Sequence, residues 1–379
     1  MSLILDEAHC QLSDTAREFL AANAPVAALR RLRDTRDERG WSRDLWQRMA
    51  ALGWAGITIP EQYGGLDFGF AGLGVLLEET GRTLCASPLF ATCVLGSSAL
   101  VLAGSAAQKS AFLPRIAAGE LTLALALEES HRHDPLATAL AAVRDTDGYC
   151  LSGSKQFVLD GHSAELLIVL ARTAGHAGDA AGLSLFAVDG AAPGLLRRRL
   201  SLMDSRNAAR IDFEDVRIRA DALLGVEGEA HAVLDQLLDR GRAGIAAEML
   251  GGMQECCART VDYLKQREQF GALIGSFQAL QHRAAHAHTE IELTRSAVRA
   301  ACAAVDARDG LLPFAASLAK ARANDTWELI SNEAVQMHGG IGTTDALDIG
   351  LFLKRSRVAM QILGDAAFHR DRYARLRDF

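Results

Sequence analysis

Aromatic residues are scarce in this chain, at 6% of 379 residues, although 49% are hydrophobic and alanine is very frequent. That balance favours helix over sheet, because Ala costs least in a helix and aromatic residues prefer strands. Positive charge is not in excess either. A formal net charge of −7 argues against nucleic acid as the main partner, yet leaves room for a local basic site for an anionic ligand. No Cys-x-x-Cys pair occurs among Cys10, Cys85, Cys93, Cys150, Cys256, Cys257 and Cys302, an odd and scattered set that fits a reducing compartment. The opening Met-Ser-Leu-Ile-Leu-Asp-Glu lacks a basic stretch followed by an apolar one, and no apolar run approaches membrane-spanning length. The expectation is a soluble, cytoplasmic protein with no membrane partner. Repeats and low-complexity segments are missing, and a chain this long is expected to fold as two or three packed units.

Three stretches differ in character. Residues 1–118 read as an N-terminal helical domain: Leu12 to Ala22 has helical spacing, and Ser42 is placed to cap a helix through Leu45, Trp46, Met49 and Leu52. Pro60 and Gly64-Gly65 mark a loop, after which helices are expected through Leu73, Leu76 and Leu77 and from Val94 to Leu102. Residues 119–226 carry short runs bounded by turn residues, such as Leu121 to Leu127, Glu165 to Leu170, Leu183 to Val188 and Arg210 to Phe213, so a β-barrel or sandwich is expected. From 227 to 379 the pattern is helical again. Residues 229–266 contain no Pro, Phe277 to Ala304 is a second long helix, and Pro313 suits the first turn of a third that ends at Gly339-Gly340. Long helices with short connections read as an antiparallel bundle, giving an α+β chain of three domains.

The segment Tyr263-Leu264-Lys265-Gln266-Arg267-Glu268-Gln269-Phe270-Gly271, followed by Gly275-Ser276-Phe277-Gln278, carries the most information. An Arg between two long helices suits a phosphate, since its planar fork donates paired hydrogen bonds and stays charged; an Arg capping a helix C-terminus is the plainer alternative. This word resembles the signature of the acyl-CoA dehydrogenase family of flavoproteins. So do Gly53 to Glu61 with Tyr63-Gly64-Gly65, Glu78-Glu79-Thr80-Gly81-Arg82, Phe213-Glu214-Asp215-Val216, and Gln336-Met337-His338-Gly339-Gly340-Ile341-Gly342. The resemblance spans nearly the entire chain, with the words in family order, and is nearest to a bacterial branch acting on bulky, dicarboxylic or steroid-side-chain thioesters.

The resemblance implies FAD-dependent α,β-dehydrogenation of an acyl-CoA to a trans-2-enoyl-CoA, with electrons passed to an electron-transfer flavoprotein. It also implies that Arg267, Gln269, Phe270 and Gln278 reach FAD bound mainly by a neighbouring subunit, and that Gln336, Gly339 and Gly340 line its adenine and diphosphate end. Glycines let backbone amides approach phosphate, and a helix start adds a favourable dipole. A flavin shared between subunits implies an oligomer, a homotetramer or a heterotetramer with a homologous subunit. Asp239 and Arg242 are implied to hold the thioester, the plainer reading being an i, i+3 surface ion pair.

Taking a proton from the carbon beside a thioester needs a carboxylate base, preferably desolvated. The family's usual Glu, in a Tyr-Glu-Gly-Thr word, corresponds to Leu363 or Gly364 in Ile362-Leu363-Gly364-Asp365, and a second family position before the helix Arg holds Gly241. Glu248 lies seven residues after Gly241 on the same helix face, with Gly244, Gly251 and Gly252 close to that stripe. It is the expected base; tight helix packing with Glu248 paired to an Arg is the alternative. The flavin-facing loop also departs, reading Leu127-Glu128-Glu129-Ser130 and His131-Arg132-His133-Asp134, with Phe157-Val158-Leu159 for the family's Trp-Ile-Thr. His282 and His286, with His288 and Glu290 nearby, have metal-like spacing without a third aligned ligand, so no metal is assigned. The rivals to a complete dehydrogenase are a non-catalytic partner subunit and a flavin monooxygenase or oxidase on the same fold.

Overall fold

The computed structural model describes residues 4–308 and 310–379. Several of its helices begin where a short polar side chain satisfies a free backbone N–H group. Asp6 caps α1 (Glu7–Asn23), and α2 (Val26–Asp34) follows. Ser42 caps α3 (Arg43–Ala51) by accepting from Leu45 N, as its position predicts. After a 3₁₀ turn at Glu61–Tyr63, closed by Gly64 in the left-handed region, α4 runs over Phe70–Arg82. The helix expected from Val94 to Leu102 divides into a π-helical segment, Phe90–Gly96, and α5 (Ser97–Ala103). Within the π segment the Thr92 hydroxyl accepts from Leu123 N, tying it to the first strand, and Gly96 admits the Leu123 side chain. The capping box of Ser105 and Gln108 starts α6 (Ala106–Ala117).

Strands β1 (Leu123–Ala126), β2 (Ala141–Arg144), β3 (Gly148–Leu159), β4 (Leu166–Arg172), β5 (Leu183–Asp189), β6 (Leu195–Arg199), β7 (Ala208–Arg219) and β8 (Leu223–Leu224) form one mixed sheet. The order is β6-β7-β3-β2-β4-β5-β8, with β1 parallel to β4. The expected β unit is therefore present as an eight-stranded mixed sheet, in which β6 pairs with β7 and β8 with β5. Its buried face gathers Tyr149, Leu151, Val169, Phe186, Ile211 and Phe213. The β3–β7 pairing shifts register between Lys155 and Val158, where Phe157 takes a φ of +51°.

Helix α7 (His231–Leu264) is 34 residues long, and the stretch from Gly241 to Met253 is buried throughout. A short hairpin, β9 (Glu268–Gln269) and β10 (Ala272–Leu273), leads to α8 (Gln278–Ala307). Then come α9 (Leu312–His338), with Pro313 in its first turn, α10 (Ile349–Gln361) and α11 (Ala366–Leu376). The chain packs as two compact units. One gathers residues 1–31, 70–85 and 242–379 and is helical; the other gathers 32–69 and 86–241 and carries the sheet.

Candidate active site

In the helical unit, α4 and α7 cross with their backbones nearly touching. A Cβ on Gly81 would overlap the carbonyl oxygen of Glu248, one on Gly251 would overlap that of Glu78, and one on Gly252 would strike the Trp327 ring. The small residues beside Glu248 are thus filled by neighbouring elements. The Glu248 carboxylate is buried and lies 3.4 Å from Nη1 of Arg355 on α10, itself 3% exposed. This is the paired, close-packed arrangement weighed against a base in the sequence, and removing either partner would take one charge away from the other in a buried setting.

Arg242 is buried, as is Asp239 on the same helix, so the pair is not the surface ion pair that spacing alone allowed. Arg242 Nε makes a long 3.5 Å bond to the Leu363 carbonyl, and its guanidinium carbon stands 5.5 Å from the Phe368 ring centre. The same carbonyl is 3.1 Å from His369 Nε2. A carbonyl only accepts, so this contact requires the tautomer with the proton on Nε2. Leu363 is 7% exposed and adopts a φ of +59°. One residue on, the Gly364 carbonyl accepts from the fully buried Lys320 ammonium at 3.0 Å. The turn from Ile362 to Asp365 is therefore tightly held, with the Leu363 side chain buried.

The residues implied for the cofactor come together at one end of this unit. Tyr263 in the last turn of α7 stacks on His338 at the end of α9, with centroids 4.2 Å apart and planes at 27°, and its hydroxyl donates to the His338 carbonyl at 3.4 Å. Burial lowers the His338 pKa, which keeps the stacked ring neutral near pH 7. This contact draws the hairpin after α7 to the Gly339-Gly340 turn after α9. Arg267, Gln269, Gln278, Gln336, Gly339 and Gly340 are exposed, and Phe270 is 93% exposed, held in the left-handed region (φ +56°) with its edge towards Phe277 at 6.3 Å. Gly339 has φ +65° and ψ −149°, a conformation essentially reserved for glycine, and a Cβ there or on Gly340 would meet nothing within 4 Å. One guanidinium, three carboxamides, an aromatic face and open glycine backbone suit a ligand with a diphosphate and hydrogen-bonding ring edges. The donor set fits FAD.

The sheet unit holds the loop after β1. Glu128 lies 2.6 Å from His133 Nδ1, and Glu129 accepts from Lys155 Nζ at 2.7 Å and from the amides of Ala139 and Leu140. Lys155 is 0% exposed and also donates to the Leu127 carbonyl. Burial pushes the Lys155 pKa down to about 8, against the opposing pull of Glu129 and then Glu128. The loop that departs from the family words in the sequence thus holds the Glu129–Lys155 ion pair and the Glu128–His133 contact. On α8, His286 faces Glu290 at 3.8 Å, and among the described residues no three His, Cys, Asp or Glu side chains are arranged to hold a metal.

Three family models match in chain order: the N-terminal domain of acyl-CoA dehydrogenase over residues 6–120, the middle domain over 124–216 and the C-terminal domain over 231–376. The chain belongs to the acyl-CoA dehydrogenase family. It is 31% identical over 332 residues to cyclohex-1-ene-1-carbonyl-CoA dehydrogenase of Syntrophus aciditrophicus, covering 85% of this chain and 78% of that protein. Among solved structures it resembles the Tcur3481-Tcur3483 steroid ACAD, with 33% identity, 98% of both chains covered and a TM-score of 0.88. It also resembles a chain solved with the electron transferring flavoprotein of Acidaminococcus fermentans as its subject (30% identity, 99% of both chains, TM-score 0.91). Members of the family are FAD flavoproteins, and this acyl-CoA dehydrogenase is an oxidoreductase acting on acyl-CoA.

Sequence reasoning missed Arg355, Lys320, Lys155 and the Glu128–His133 pair. A signal existed for Lys320: it sits in Ala315-Ala316-Ser317-Leu318-Ala319-Lys320, with small residues on its helix face where a solvated lysine would have polar neighbours.

Proposed function

We propose that this chain carries out FAD-dependent α,β-dehydrogenation of an acyl-CoA thioester, giving the trans-2-enoyl-CoA and passing electrons to an electron-transfer flavoprotein. The observation that supports this reading is the Tyr263–His338 stack, which brings the hairpin after α7, with its exposed Arg267, Gln269 and Phe270, to the exposed Gly339-Gly340 turn. FAD bound there would supply the two-electron acceptor. Arg267 would meet the diphosphate, Gln269, Gln278 and Gln336 would bond ring and ribityl edges, Phe270 would cover an apolar face, and Gly339-Gly340 would offer backbone. Their exposure supports a cofactor shared with a second subunit, in a homotetramer or a heterotetramer. Asp239 and Arg242 would orient the thioester, and Glu248 is assigned the α-proton. The cyclic and steroid names of the relatives favour a bulky acyl group.

The three stretches 1–118, 119–226 and 227–379 are taken as the domains, the middle one curling towards a barrel or sandwich, and free cysteines favour the cytoplasm. An anaerobic titration with butyryl-CoA, cyclohex-1-ene-1-carbonyl-CoA and a steroid-side-chain CoA tests the reading. Bleaching of the bound flavin by any of them supports a complete dehydrogenase; a flavin-loaded protein that none of them reduces counts against it.

A second reading has its own observation. Glu248 is paired with Arg355, and Leu363 and Gly241 stand at the two usual base positions. A subunit that contributes flavin contacts while a homologous partner supplies the base would look like this. Co-expression with a base-bearing homologue encoded nearby would then restore flavin reduction that the chain alone lacks.

A further inference from the structure

We propose that Lys320 is a positioning residue, fixing the turn from Ile362 to Asp365 and, through that turn, the guanidinium of Arg242. The inference rests on the reading of Arg242 as a thioester-side residue.

Lys320 on α9 is 0% exposed, and its ammonium has three acceptors: Asn324 Oδ1 at 2.7 Å, the Gly364 carbonyl at 3.0 Å and the Met360 carbonyl at 3.2 Å. Met360 lies in the last turn of α10, where carbonyls lack helical partners. Lys320 therefore closes the end of α10 from another helix and binds the backbone four residues beyond in the same step. Between these points Leu363 is held left-handed at φ +59°, a conformation that a branched, buried residue keeps only when its surroundings over-determine it. The surroundings do so. His369 and Arg242 both take the Leu363 carbonyl, and Asp365 caps α11 beneath Phe368, the ring that Arg242 overlies.

Arg242 is thus oriented by an oxygen of this turn and by a ring in the first turn of α11, the helix that the turn's Asp365 caps. An ammonium is a costly way to fill a buried space, and an apolar side chain of similar length would burden the fold less. What the charge adds is three donors matched to three acceptors.

The count of donors depends on protonation. Burial pushes the Lys320 pKa down to about 7, Asp365 opposing and Arg242 reinforcing the shift. A neutral amine keeps two N–H groups, so one of the three acceptors is released as pH rises through neutrality.

The test is K320M in the full-length, flavin-loaded protein. Amide exchange of residues 361–365 is expected to accelerate at least tenfold, with thermal stability unchanged or raised. The Kd for cyclohex-1-ene-1-carbonyl-CoA should rise about tenfold, and the wild-type change in that Kd between pH 6 and 8 should disappear. Unchanged exchange, or exchange that rises uniformly along the chain as stability falls, overturns the clamp. If K320M does not fold, N324A removes one Lys320 acceptor together with the Asn324 Nδ2 bond to the Met360 carbonyl, and should show the same local acceleration, smaller in size; no local change there overturns the clamp as well. Local acceleration in a protein whose wild type binds no thioester of the panel overturns the thioester reading of Arg242 and its link to Lys320, a result distinct from failure of the clamp.

Discussion

The Glu78 carbonyl of α4 occupies the place where a Cβ on Gly251 of α7 would stand, and the Glu248 carbonyl does the same to Gly81. Two helices approach here to backbone contact, with Gln254 of α7 bonded to Glu78 and Arg82 of α4 beside the crossing. Gly251→Ala must push the helices apart, and overpacking of a close crossing costs about 3 kcal/mol. Chemical denaturation should show the midpoint falling at unchanged slope, whereas a neutral G251A would mean that the crossing yields.

Replacing Glu248 by Gln leaves Arg355 buried beside a neutral amide. Breaking such a pair from one side costs roughly 3 kcal/mol, and the double variant E248Q/R355Q should lose less than the sum of the singles. Flavin reduction separates the two functional readings. A stable E248Q protein that still bleaches with acyl-CoA removes Glu248 from the chemistry, and complete loss of reduction at retained flavin content keeps it there.

Stability should rise with pH just above neutrality. Lys320 and Lys155 titrate in the folded protein near 7 and near 8, below the ordinary lysine value, so the unfolded chain binds more protons throughout this window. From pH 7 to 8.5 the two together should add about 2 kcal/mol, and K320M should flatten the slope. Above pH 9 the trend reverses, because burial raises the Cys93, Cys256 and Cys302 thiols while unfolded thiols ionise. Urea midpoints at pH 7.0, 7.75 and 8.5 decide the matter; a falling midpoint over that span contradicts it.

Arg267→Ala and Gly339→Ala should both lower the flavin-to-protein ratio without unfolding the helical unit. Gly339→Ala forces Ala into a glycine conformation at a cost of about 1–3 kcal/mol, although no atom blocks its Cβ. Absorbance ratios after gel filtration measure the loss; full flavin content in both variants would move the cofactor away from this surface.

Local signals read well from the chain. Ser42 before Leu45, the proline-free run into Leu264 and Pro313 at a helix start each name an element that exists, because caps and periodicity act within a few residues. Long-range partners read poorly. Glu248 was visible as a carboxylate on a small-residue stripe, but Arg355 lies 107 residues away and nothing local marks it. Lys155 looks like a surface lysine until the carbonyl and carboxylate that receive it are in place, and the small residues around Lys320 hint at burial without naming its acceptors. The topology of the sheet, with β1 added in parallel to β4, also depends on pairings that no strand's own residues announce.

The Tyr263–His338 stack acts as a rivet between two segments otherwise 75 residues apart. A jolt to either segment is felt by both, because neither helix end can swing without sliding one ring over the other. The hairpin carrying Arg267 and the turn carrying Gly339 should therefore open and close as a single jaw, letting go of a ligand all at once and never finger by finger.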